Sequence, residues 1–174
     1  GDGTVASGIA STAMGINNTA SGDNSTAIGV TTRAIGDNST AMGSGTQAIG
    51  VVSTAIGFNT TASGEGSIAM GGNTEASGMY STAMGEGTIA SDYGSLTIGT
   101  YNSFGSSVSI GGSAITFDTD NTAFVIGNGT DYESRRDAFK VMFNGDTTAT
   151  GTISATAFVG DGSGLTGISF NTVS

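Results

Sequence analysis

Residues 25–57 read STAIGVTTRAIGDNSTAMGSGTQAIGVVSTAIG, and the spacing within them decides the fold. Glycine falls at 29, 36, 43, 50 and 57, with alanine two places before each. Outward from this stretch the glycine series runs back to Gly8 and forward to Gly85, skips once at Asp92 and resumes at Gly99. Two kinds of half-repeat alternate, so the full period is fourteen residues. One kind begins as STAMG (11–15) and ends as SLTIG (95–99). The other begins as TVASG (4–8) and ends as TIASD (88–92). Fixed self-similarity of this kind marks a stacked-repeat architecture.

Seven residues suit a strand of about five plus a two-residue corner. A helix is excluded, because a glycine in every heptad would cost about 1 kcal/mol each and β-branched Thr and Ile recur throughout. The corners agree: Asn or Gly stands five before many of the series positions, at Gly3, Asn17, Asn24, Asn38, Gly45, Asn59, Gly66, Asn73, Gly87 and Gly94. These residues tolerate the positive φ of a sharp corner. Side chains alternate along a strand, so Ser, Ala and Gly of the STAMG half share one face, and Thr with Met or Ile shares the other. The small face predicts a narrow two-sheet roll with alanine inside. Outside, Met14, Ile28, Met42, Ile56, Met70, Met84 and Ile98 stack as a continuous apolar stripe. The matching column of the second sheet is Ser7, Ser21, Ile35, Ile49, Ser63, Ser77 and Ser91, flanked by Arg33, Gln47 and Glu75, and reads as solvated. An exposed stripe predicts self-association about a common axis, which closed symmetry keeps from growing without end.

Composition narrows the chemistry. The 174 residues include 31 Gly but no Pro, Cys or His. Disulfides, thiolate metal sites and a histidine general base are therefore ruled out. A net charge of −10 is the wrong sign for nucleic acid or anionic lipid. No apolar run approaches the ~20 residues of a membrane helix, so no membrane insertion is expected in this segment. The start does not read as a signal peptide, and Gly1 in place of an initiator Met suggests a processed or excised piece of a longer chain.

The tandem S-x-A-[IM]-G units of residues 4–99 resemble the head repeats of YadA-like trimeric adhesins, found in trimeric autotransporter adhesins and phage tail fibres. The resemblance implies a left-handed parallel β-roll with three chains about an axis. A degenerate echo follows at Ser107-Val108-Ser109-Ile110-Gly111. The expected fold is thus all-β, a homotrimeric parallel β-roll of 14-residue turns followed by a β-rich, trimer-closing neck.

After Gly99 the composition shifts, and seven of the eight phenylalanines lie there. Asp118-Thr119-Asp120-Asn121 reads as a turn, 123–126 (AFVI) as a short buried strand, and 130–137 (TDYESRRD) as a loop or single helical turn. Phe139, Val141 and Phe143 alternate with Lys140 and Met142 as a half-buried strand ending in the Asn144-Gly145 turn. Residues 124–146 resemble the segment that follows such heads in phage and bacterial fibres, and 151–169 (GTISATAFVGDGSGLTGIS) a linker motif of phage tail fibres and large surface proteins. Neither apolar heptads nor barrel strands follow, which favours a fibre segment. Three parts are expected: a head roll over 1–99, a degenerate repeat with neck over 100–150, and a fibre linker over 151–174.

Candidate chemistry is sparse. Arg135 and Arg136 beside Asp131, Glu133 and Asp137 read first as neck charge pairing, and second as a clamp for an anionic glycan. Asp131 and Glu133 are a weak match to a glycosidase pair. A Ser-Lys dyad would have only Lys140. Gly160-Asp161-Gly162-Ser163-Gly164 lacks the remaining acidic ligands of a calcium loop. No cofactor, metal or catalytic residue is expected, although an ion on the trimer axis stays open. The column Thr12, Thr26, Thr40, Thr54 and Thr82 invites an ice-binding reading, weakened by flexible methionine beside it.

The expectation is a non-enzymatic trimeric fibre segment for rigid display and attachment, on a virion tail fibre or a cell surface. The alternatives are the head of a bacterial autotransporter adhesin, a glycan-degrading fibre enzyme and an ice-binding solenoid. Receptor contacts are expected from corner residues Ile16, Phe58, Met79, Tyr80 and Tyr93, which otherwise merely cover neighbouring rungs. The partners are sister chains and a host glycan or protein receptor.

Overall fold

A computed structural model describes residues 1–107 and 109–157, together with 159 and 166. Val108, Phe158, most of the 151–169 motif and the glycine-rich 160–164 segment lie outside the described residues. Fourteen strands alternate between two and five residues in length, from β1 (Val5–Ala6) and β2 (Thr12–Ile16) to β13 (Ile89–Ala90) and β14 (Leu96–Thr100). The short strands form one parallel sheet and the long strands another, in strict order along the chain. Register never slips: each residue pairs with the one fourteen positions on, as Ala27 with Ala41 and Thr19 with Arg33. The chain is a parallel β-solenoid of about seven turns.

The alanines face inward, as the alternation requires. Every series alanine from Ala20 to Ala90 is fully buried, and together they make the core. Glycine is obligatory for a steric reason. A Cβ built on Gly43 would collide with the carbonyl oxygen of Gly57, one turn on, and the same holds between Gly22 and Gly36. Gly43 also has φ 123°, a region side chains avoid. The corners adopt φ near +50° to +67° at all ten Asn and Gly positions expected from the sequence. Ala10, Thr31, Val52, Tyr80 and Tyr101 also take positive φ, which the residue type does not announce. Corner backbones bond rung to rung as well, with the Asn38 N–H donating to the Asp23 carbonyl at 2.7 Å and the Asn59 N–H to Ser44 at 2.9 Å.

Asp92 breaks the glycine series because it is the last member of its column. Gly78 is held to glycine by the Asp92 backbone above it, whereas Asp92 has no further repeat above and can carry a side chain. Its carboxylate, 2% exposed, accepts the N–H of Thr122 at 2.8 Å and that of Ser109 at 3.0 Å. These bonds tie the segment after the roll to its end. α1 (Phe104–Ser107) leads away, and β15 (Thr122–Asn128) returns to pair in parallel with β14. Ile98 meets Ile126 and Gly99 meets Gly127, so residues 122–128 add the next rung of the long sheet. The echo at 107–111 does not supply that rung: Ile110 is fully exposed and Ser109 serves Asp92. Val125 takes the buried alanine position, fully enclosed. β16 (Asp137–Met142) and β17 (Thr147–Ala149) then extend the sheet antiparallel, joined by the Asn144-Gly145 turn.

Candidate functional site

The long sheet presents one outward column without interruption. Met14, Ile28, Met42, Ile56, Met70, Met84 and Ile98 pair rung to rung, and Ile126 continues them. In the single chain Met14 is 57% exposed, while Met42 and Met84 remain close to 40%. At about 4.8 Å per rung the stripe is roughly 35 Å long. A second column beside it changes character along the roll, from Thr12, Thr26, Thr40 and Thr54 to Ile68, Thr82, Leu96 and Phe124. The apolar face therefore widens toward the C-terminal end, where Phe139 pairs with Ile126 and packs edge-on against Phe124 at 6.3 Å.

The short sheet carries polar groups outward. Arg33 donates to the Gln47 Oε1 at 3.4 Å, and the Ser77 hydroxyl to that of Ser91 at 2.8 Å. The corner residues divide. Phe58 is exposed, as is Tyr80, which packs edge-on against Tyr93 at 5.7 Å and covers Gly66. Glu65 beside it raises the Tyr80 pKa, mainly through its charge. Met79 and Tyr93 are half-buried under residues 113–114, to whose carbonyls their N–H groups donate. Ile16 is exposed at the N-terminal end.

Arg135 sits in a cage of rings, 4.6 Å from the Phe104 centroid, 5.1 Å from Tyr132 and 5.5 Å from Tyr101. Its Nη1 donates to the carbonyls of Gly87 at 2.8 Å and Asn102 at 3.2 Å. Burial lowers its pKa, opposed by Tyr132, Tyr101 and Glu75, but an arginine stays charged. Within the chain, then, Arg135 is held by carbonyls and rings, which pin the 129–136 loop to the roll. Sequence reasoning saw only its charged neighbours; the aromatics at 101, 104 and 132 were the available signal. Asp131 turns back on its own loop, accepting the N–H of Ser134 at 2.7 Å and that of Glu133 at 3.0 Å. Glu133 and Arg136 are exposed.

The model of the YadA head domain repeat, itself two copies long, matches residues 6–32, 34–51, 48–74 and 76–102. The chain belongs to the YadA head repeat family. YadA heads are trimeric, surface-displayed adhesin domains, structural rather than enzymatic. The matched YadA repeats end at residue 102, at the buried Asn102 whose side-chain Oδ1 accepts the Ile89 N–H. No curated protein matches the chain. Among the described residues no helix is long and apolar enough to cross a membrane.

Proposed function

We propose that this chain is a non-enzymatic segment of a homotrimeric fibre, giving rigid display and attachment to a host or cell surface. The observation that carries this reading is the unbroken Met/Ile column on one face of the long sheet, half-exposed in a single chain. Three chains meeting along it bury the stripe in closed symmetry, and the polar short sheets and corners are left to face outward. Every rung is bonded to the next, so the assembly is a stiff rod, and Phe58 and Tyr80 are displayed three times each, with the half-buried Met79 and Tyr93 near Tyr80. Repetition raises the avidity of a weak contact. At the C-terminal end, the exposed Glu133 and Arg136 supply charges for pairing at the neck.

The setting proposed first is a phage tail fibre or similar virion appendage; the likeness of 124–146 is to phage and bacterial fibre proteins alike, and that of 151–169 to phage tail fibres and large surface proteins. The head of a bacterial autotransporter adhesin is the second setting. The ice-binding reading is weakened by Ile68 and Leu96, which interrupt the threonine ladder. Binding of the labelled, purified fragment to intact host cells tests attachment. Saturable binding supports it, and no binding at micromolar fragment reduces the segment to a spacer. Loss of host polysaccharide on incubation would instead favour the glycan-degrading enzyme.

A further inference from the structure

A cleft of about 300 Å³ opens at the corner between the long and short sheets, beside the outer face of the short sheet and away from the Met/Ile stripe. Its walls are the rings of Tyr101 and Tyr132, and Asn73 and Glu75 form its polar edge. We propose that this cleft is a binding site for one ring of a neutral hexopyranoside, the chemical class of surface glycan that the attachment reading above requires.

Three features support this ligand class. First, the walls are aromatic and the edge is polar. A pyranose has an apolar C–H face and a rim of hydroxyls, and so needs both. Tyr132 is 66% exposed and available to a ring, and Tyr101 lies over Gly87, where no side chain could stand. Second, the polar edge is braced. Glu86 Oε1 accepts from the Asn73 amide at 2.8 Å and from the Tyr101 hydroxyl at 3.2 Å, which fixes both residues in place. Exposed Glu75 is positioned to accept sugar hydroxyls. Third, the electrostatics select against acidic sugars. Glu75 lines the cleft and Glu86 stands behind Asn73 and Tyr101, the chain carries −10, and the cation in the wall, Arg135, donates its Nη1 to carbonyls, lies against three rings and has its Nε buried.

The test uses the intact 174-residue fragment and a panel of methyl hexopyranosides, read by saturation-transfer NMR. At least one neutral glycoside should bind in the millimolar range, with transfer strongest to its ring C–H protons. Tyr132→Ala should weaken it about tenfold, the scale of one lost aromatic contact. Glu75→Gln should weaken it by a similar factor, while Phe58→Ala should not change it. Glu75→Gln should keep the parent's thermal midpoint; Tyr132→Ala also removes contacts to Arg135 and Phe104 and should lower it slightly, and an unchanged far-UV circular dichroism spectrum shows that the fold is kept. Absence of transfer to every neutral glycoside would overturn the site, as would binding indifferent to Tyr132→Ala or binding of uronates alone. Host-cell binding separates the two readings. If it survives Tyr132→Ala in full, attachment stands and this cleft is not its site.

Discussion

The carboxylate of Asp92 accepts the backbone N–H of Thr122 at 2.8 Å across thirty positions of sequence. The same group accepts from Ser109, so one buried acid closes the end of the roll where the glycine series fails. Asp92→Ala leaves these donors buried without partners, at a cost of about 3 kcal/mol or more. Hydrogen exchange should show the amides of Ser109 and Thr122 losing protection, while those of the rungs before residue 60 keep theirs.

Gly43→Ala should break the stack, because its Cβ meets the Gly57 carbonyl and its φ of 123° is unfavourable. A loss of more than about 3 kcal/mol in thermal unfolding is expected, from overpacking and backbone strain together. Gly105→Ala is the control: the nearest atom to its Cβ is 3.8 Å away, and little change should follow.

Thr31 and Val52 are exposed corner residues at φ 57° and 59°. Both are β-branched and strained there, and most equivalent corners of other turns carry Asn or Gly. Thr31→Gly and Val52→Gly should each stabilise the roll, by about 1 kcal/mol. A rise in the urea midpoint at constant slope checks this.

Hydrogen bonds from the Ser134 N–H, above all, hold the Asp131 carboxyl below the ordinary carboxylate range. A depressed folded pKa means that its stabilising contribution is complete above the unfolded value, near ~3.9, and is lost as pH falls through the folded value. NMR titration of the Asp131 carboxyl carbon should give a midpoint below that of the unfolded chain. The Ser134 amide shift should move with the same midpoint, and Asp131→Asn should remove that titration.

Much of the solenoid was legible because its constraints are local and repeated. Ala27 and Ala41 point inward by simple alternation, and Asn24, Asn38 and Gly66 turn corners by their tolerance of positive φ. The rung at 122–128 was harder to read. Phe124-Val125-Ile126 replaces the small residues of a repeat, and a long excursion separates it from Gly99. The clue was Gly127, still in step with the series, two full periods beyond Gly99. The Arg135 cage left only a faint trace in the sequence, since Tyr101, Phe104 and Tyr132 come together only when the chain returns past the roll. Val52 and Tyr80 at positive φ were equally hidden, because neighbouring rungs impose the corner whatever residue occupies it.

The proposed trimer stands or falls with sister chains covering the Met/Ile column. Multi-angle light scattering on the purified fragment measures this directly, beside the double variant Met42→Asp with Ile56→Asp. A mass three times the 16.9 kDa chain is expected for the parent, and loss of that assembly when charge is placed on the stripe. A folded parent that runs as a single 16.9 kDa chain, or a double variant that still assembles, would contradict it.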